Sequence, residues 1–208
     1  MSRDQRTVAD WAAALVVLAI GIPMVTVGGF AFAENHSRLR REEPRRGFLG
    51  PAAFDAFARG ESYPTHYMGN HLTAPDFSLP MEDGSVWTLS EHRGRVIVLN
   101  TWTVTCGPCM EEMPSLIELA HVVNPRDDVE LVTISVDEDW ATAHTAVPSG
   151  SELTVLLDPE KTVVNDLFGT RQFPETWIID REGVIRLRID GARDWSSALA
   201  MDVVNTYL

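Results

Sequence analysis

Residues 96–114 limit what this chain can fold into more than any other stretch. They open with Val96-Ile97-Val98-Leu99, an apolar run that reads as a strand buried on both faces. A short polar segment leads to Cys106-Gly107-Pro108-Cys109, and Leu116, Ile117, Leu119 and Ala120 then follow at helical spacing. Strand, turn, cysteine pair, helix: that order puts Cys106 at the amino end of a helix. Unpaired backbone N–H groups and the helix dipole favour negative charge there. A thiolate is the species that attacks a disulfide, and helix starts favour the thiolate. Cys109 lies one turn further on, near enough to close a small ring with Cys106. The chemistry indicated is thiol–disulfide exchange.

Other uses of two cysteines are weaker. A zinc site needs two more ligands, and the chain has no second cysteine pair. Its histidines (His36, His66, His71, His92, His121 and His144) are scattered, none at ligand spacing. A purely structural disulfide would close too small a loop to remove much chain entropy. Peroxidase chemistry is the sharper rival, because Thr103 stands three residues before Cys106, as in the peroxiredoxin pattern. That pattern also has a proline four residues before the threonine, where this chain has Leu99.

With Asn100, Trp102, the Cys-Gly-Pro-Cys motif, Glu112, Pro114 and Phe173-Pro174-Glu175-Thr176 in register, residues 74–208 resemble thioredoxin-fold proteins. The likeness is greater to their membrane-anchored, extracytoplasmic branch, the TlpA/ResA-like proteins and the reductases of cytochrome c maturation. The resemblance implies an α/β thioredoxin fold: a central mixed sheet flanked by helices, with an N-terminal hairpin and the branch's helix-and-strand insertion. It implies a protein disulfide reductase with Cys106, Cys109 and Glu112 as catalytic residues. Contacts to the client would come from Trp102, Thr105, Gly107, Pro108, Phe173 and Pro174. No organic cofactor or metal is implied. The implied partners are a client protein carrying a disulfide, such as apocytochrome c or a copper-assembly protein, and an upstream membrane thiol carrier. Pro174 is expected to be cis, which turns the preceding backbone outward to pair with a client strand.

Two positions sharpen the mechanism. Asn100 stands where ordinary thioredoxins carry a buried aspartate, and asparagine cannot titrate. Proton transfer at Cys109 then falls to Glu112, three residues later and on the same helix face. A partly desolvated carboxylate can act as acid or base near neutrality; a solvated acid at the helix start is the other reading. Thr105 and Phe173 depart from the pattern, standing where tryptophan and a smaller residue are usual. Both flank the surface a client must touch, so the departures bear on client identity. A non-catalytic adaptor holding its partner at the cis-proline edge is the alternative from another class.

Residues 11–33 carry no charge, enough at 1.5 Å per residue to cross a ~30 Å hydrocarbon core. Gly21, Pro23, Gly28 and Gly29 are tolerated in membrane helices. We read a transmembrane anchor, with a cleaved signal peptide as the alternative, since Ala31-Phe32-Ala33 resembles a cleavage site. Arg3 and Arg6 precede this span, whereas Arg38, Arg40, Arg41, Arg45 and Arg46 follow it, which by arginine count alone points the domain inward. The resemblance implies export instead, with the catalytic domain on the periplasmic side of a bacterial inner membrane. Residues 34–72, without sustained periodicity, read as a tether with a short helix near 52–58. Residues 73–208 are the thioredoxin-like domain. After residue 72 there are nine basic against 23 acidic side chains, which excludes nucleic acid as a partner.

Within the domain, Asp83-Gly84 between residues 76–79 and Val86–Thr88 predicts a hairpin. Strands are expected at 96–101, 129–136, Thr154–Leu157, 176–180 and 184–189, and helices at 140–146 and 161–168. Pro114 is expected to kink the helix after the cysteines. Asp194 is expected to cap a last helix that buries Trp195, Leu199 and Val203.

Overall fold

A computed structural model describes residues 22–60 and 73–208. Chain contacts divide it at Pro44/Arg45 into two units. A helix, α1, spans Ile22–Leu49, with Pro44 inside it. In the first unit this helix leaves Phe30 and Phe32 exposed and pairs Arg38 with Glu42 one turn on, Nε to Oε1 at 2.6 Å. The predicted membrane span falls half outside the described residues. Among the described residues no helix is long and apolar enough to cross a membrane.

The second unit begins earlier than the sequence suggested. Residues 34–49 are helical rather than irregular, α2 (Pro51–Arg59) forms where a short helix was expected, and the tether reading is corrected over residues 45–59, which belong to this unit. The reason is burial: Phe48, Leu49, Ala53, Phe54 and Ala56 all pack out of water. Pro51 suits the first helical turn, and Gly60, at φ 67°, ends α2 by donating its N–H to the carbonyls of Ala56 and Phe57. Residues 61–72 lie outside the described residues.

The hairpin forms as predicted, with β1 (Ser78–Pro80) antiparallel to β2 (Val86–Thr88). Gly84 takes φ 84° in the turn, while the Asp83 carboxylate accepts the Ser85 N–H at 2.9 Å. The chain then runs through β3 (Val96–Trp102), α3 (Gly107–Val123), β4 (Val129–Ser135), the single turn α4 (Trp140–Ala143) and β5 (Thr154–Leu157). It closes with β6 (Glu175–Ile179), β7 (Ile185–Asp190) and α5 (Ala198–Asn205). The main sheet has the order β5-β4-β3-β6-β7, with β3, β4 and β5 parallel and β6 and β7 antiparallel to their neighbours. This is the mixed sheet of a thioredoxin fold.

Every residue of β3 is buried, because each face of the sheet is covered. Val96, Val98 and Trp102 join a cluster with α3, α5 and the Phe48–Phe54 segment. Ile97 and Leu99, pointing the other way, join Phe77, Trp87, Phe168 and Trp177 under the hairpin. At ~1.5–3 kcal/mol for each fully buried large side chain, these two clusters hold β3 at the centre of the sheet.

Two terminators differ from expectation. The predicted helix at 161–168 is a π-helical turn, Thr162–Leu167. The buried carboxylate of Asp158 gathers the N–H groups of Thr162, Val163 and Val164 at 2.8–3.0 Å, which widens that turn. Ser197, not Asp194, caps α5, accepting the Ala200 N–H at 3.3 Å. Asp194 instead accepts from the Ser196 N–H and hydroxyl, so Trp195 is buried ahead of the helix rather than on it.

Candidate active site

Cys106 is the N-cap of α3, in extended backbone geometry, and its carbonyl accepts the first helical N–H, that of Met110, at 3.2 Å. Gly107 and Pro108 occupy the first helical positions, where proline's missing N–H costs nothing. Cys106 and Cys109 are joined as a disulfide, with Cα atoms 5.3 Å apart. The Cys106 Sγ also accepts the Cys109 N–H at 3.2 Å, as a capping oxygen would. In the reduced pair the same N–H and the dipole of α3 would stabilise a Cys106 thiolate.

The two sulfurs are not equivalent. Cys106 is half-buried, whereas Cys109 is wholly buried in the core. Thr105, Gly107 and Pro108 are exposed, and a Cβ built on Gly107 would meet nothing within 4 Å. A partner can therefore reach Cys106 and not Cys109. The Phe173–Pro174 bond is cis. The register Thr101↔Glu175 places Pro174 beside the end of β3 from which the cysteine loop departs. Phe173 is half-buried and Pro174 buried. Trp102, expected to touch a client, is fully buried and packs in the core, so that expectation is corrected.

Glu112 is buried, one helical turn beyond Cys109. Its Oε1 accepts the Asn100 Nδ2–H at 2.8 Å, and its Oε2 accepts the Arg193 backbone N–H at 3.0 Å and the Trp195 Nε1–H at 3.1 Å. Burial pushes its pKa above the usual carboxylate range, and these three bonds, with the nearby Arg193 charge, oppose that rise without cancelling it. The solvated-acid alternative is thereby excluded. Asn100 holds the carboxylate rather than titrating: its amide nitrogen also donates to Thr176 Oγ1 at 2.9 Å, and its Oδ1 has no hydrogen-bond partner.

Two carboxylates near the site were not singled out from sequence. Asp137, buried just past β4, accepts the Thr103 hydroxyl at 2.6 Å, the Val104 N–H at 3.2 Å and the Ser135 hydroxyl at 2.7 Å. It fixes the loop leading into Cys106. The Thr103 hydroxyl thus donates to Asp137, not to sulfur. Glu175, next to the cis-proline, is buried against the Thr170 hydroxyl and the Arg188 guanidinium. Burial pushes its pKa up to about 7 despite both partners. Among the described residues no three His, Cys, Asp or Glu side chains gather as a metal site would require.

Comparison with known proteins agrees with this geometry. The model of the AhpC/TSA family matches residues 71–188. The thiol-disulfide oxidoreductase ResA of Geobacillus thermodenitrificans is 32% identical over 120 residues, 57% of this chain and 68% of that protein. The thioredoxin-like protein YneN of Bacillus subtilis is 30% identical over 113 residues, 54% of this chain and 66% of that one. A crystal structure of a thiol:disulfide interchange protein DsbE from Chlorobium tepidum superposes with a TM-score of 0.57 at 28% identity. The match covers 65% of this chain and 96% of that one. These relatives are named for thiol–disulfide exchange or for their likeness to thioredoxin, and the chain belongs to the AhpC/TSA family, as a thiol–disulfide oxidoreductase.

Proposed function

We propose that the protein works outside the cytoplasm as a reductant of partner disulfides, held at a membrane by residues 11–33. The observation that supports the exchange mechanism is the asymmetry of the pair, Cys106 reachable and Cys109 buried. The Cys106 thiolate attacks one sulfur of the client disulfide, and the other client sulfur leaves as a thiolate that takes up a proton. Cys109 then gives its proton to Glu112 and attacks the Cys106 sulfur. That step releases the second client thiolate and closes the Cys106–Cys109 bond. Two electrons pass to the client, and a dithiol carrier in the membrane must return two electrons to the pair. A carboxylate whose burial raises its pKa toward neutrality suits the proton step. The Gly-Pro pair between the cysteines is that of thioredoxin, whose potential of about −270 mV lies at the reducing end. From the family, apocytochrome c and copper-assembly proteins are the clients to try first.

Replacing Cys109 with Ser removes the resolving thiol, so the reaction should stop at a covalent Cys106–client adduct that survives non-reducing gels and disappears with added thiol. Cys106→Ser should trap nothing. A wild-type pair that no dithiol can cycle, together with a Cys109→Ser variant that captures nothing, would favour the adaptor reading. A reporter active only after export, fused to the C-terminus, tests the compartment; activity of a cytoplasmic reporter alone would overturn it.

A further inference from the structure

Two of the three donors that hold Glu112 come from one short segment, the loop between β7 and α5. They are the backbone N–H of Arg193 and the indole N–H of Trp195. That loop is not self-supporting. The Arg193 guanidinium is half-buried and spends its donors on main-chain carbonyls: Nε on Phe48, and Nη1 on Ala192 at 2.8 Å and Gly191 at 3.2 Å. The Trp195 ring is fully buried and meets the Phe48 ring edge-on, with centroids 5.5 Å apart. Phe48 sits in the last turn of α1. The last turn of a helix leaves its carbonyls without intrahelical partners, and Arg193 fills one of them. One residue thus serves as the stop for α1 and as the support for the loop that grips Glu112. Phe48, Arg193 and Trp195 all lie outside residues 71–188, the part matched by the family model.

We infer that Arg193 and Trp195 are positioning residues for Glu112, and that the end of α1, at Phe48, holds both side chains in place while the Ser115 hydroxyl of α3 donates to the Arg193 carbonyl and accepts the Trp195 N–H. The inference rests on the proposed role of Glu112 for its catalytic meaning, but its geometry stands without that role. The segment entering the domain from the N-terminal side is then part of the support of the redox site and not only a connection.

The groups facing Glu112 define what its titration should report. From α3 comes Cys109, one turn earlier; from β3 comes the neutral Asn100, itself bonded to Thr176 of β6; and from the loop, among the described residues, the Arg193 guanidinium is the one charge felt at Glu112. Glu111, Glu118 and Asp194 line the groove of about 420 Å³ alongside, and all three are exposed. Removing a donor or the guanidinium weakens what favours the ionised form, so the titration must move upward.

The test is a carboxyl-carbon NMR titration of the oxidised, full-length protein, with Glu112→Gln identifying the signal. Trp195→Phe keeps an aromatic ring in the core, though a smaller one, and deletes the indole N–H. It should move the Glu112 titration up by about one pH unit, the size of one charge-assisted hydrogen bond lost. Arg193→Met should move it upward too, and Arg193→Lys should restore part of the effect by returning the charge. Phe48→Leu, which touches no atom of Glu112, should produce a smaller rise. Phe48→Ala is the stronger version if it folds. Titrations in Trp195→Phe and Arg193→Met that coincide with wild type would overturn the inference. Failure of the catalytic reading looks different: the titration would move with Trp195→Phe while Glu112→Gln left the pH profile of thiol exchange unchanged.

Discussion

Replacing Glu112 with Gln tests the electrostatics of the site through stability alone, before any client is known. The carboxylate is buried and accepts three hydrogen bonds. Each charge-assisted bond contributes ~1.5–3 kcal/mol, against ~1 kcal/mol for a neutral one, so Gln forfeits something at every partner. Burying an ionised carboxylate costs several kcal/mol, which Gln does not incur. The raised pKa of Glu112 decides the sign: burial outweighs the bonds, and ionisation is harder in the folded protein than in the unfolded chain. The stabilising contribution of the protonated form is therefore fully present below the unfolded glutamate pKa of ~4.3, and it is lost as pH rises through the folded value. Across that window wild type should lose stability relative to Glu112→Gln by at most ~1.4 kcal/mol per pH unit, then level off. Geometry allows the exchange. With its oxygen toward Arg193 and Trp195, the Gln amide nitrogen faces Asn100, whose own amide can turn so that its unpaired Oδ1 accepts from Gln and from the Thr176 hydroxyl. Asn100 then still leaves one polar atom unpaired, as before. The assay is denaturant unfolding of both oxidised proteins from pH 4 to 8, where the disulfide keeps the cysteines from titrating. Glu175 has the same sign of dependence but is common to both proteins and cancels in the difference. A difference that stays flat, or in which wild type gains on the variant as pH rises, would refute the reasoning.

Asp137→Ala leaves the Thr103 hydroxyl, the Val104 N–H and the Ser135 hydroxyl without their acceptor, so denaturant unfolding should show a loss of ~3 kcal/mol. Capture of a model disulfide by Cys106 should slow with it, and Asp137→Asn, which keeps one acceptor oxygen, should recover part of both. Unaltered capture would show that the loop holds its shape without Asp137. For Glu175, raised to about 7 by burial, the protonated form stabilises the fold at acid pH, and that contribution fades as pH climbs from the usual glutamate range through 7. Glu175→Gln should flatten this decline in thermal-unfolding midpoints between pH 5 and 8. Arg188 keeps Asp190, at 3.0 Å, as a partner in the variant.

The parts of the site that were legible in the sequence are those that local rules decide. An apolar run wide enough for both faces of a sheet gave β3, and Gly107-Pro108 at a helix start gave the placement of the two sulfurs. Spacing of three put Glu112 on the face of α3 that carries Cys109. Trp102 was misassigned although the sequence held the answer. It alternates with Val96, Val98 and Asn100, so it shares their inward face, and proximity to the cysteines along the chain says nothing about which way a strand side chain points. Arg193 is a different case. Its bond to Glu112 is made by a backbone N–H that every residue but proline possesses, so no side-chain pattern marks it. Its guanidinium serves Phe48, a residue 145 positions earlier in a segment that read as tether. Asp194 shows the same limit from the other side: acidic and just ahead of a helix, it fits the capping rule as well as Ser197 does. Only the path that buries Trp195 in the core decides that the helix starts three residues later. Where the chain's long-range packing selects among equivalent local solutions, the sequence pattern names the candidates, and the core chooses between them.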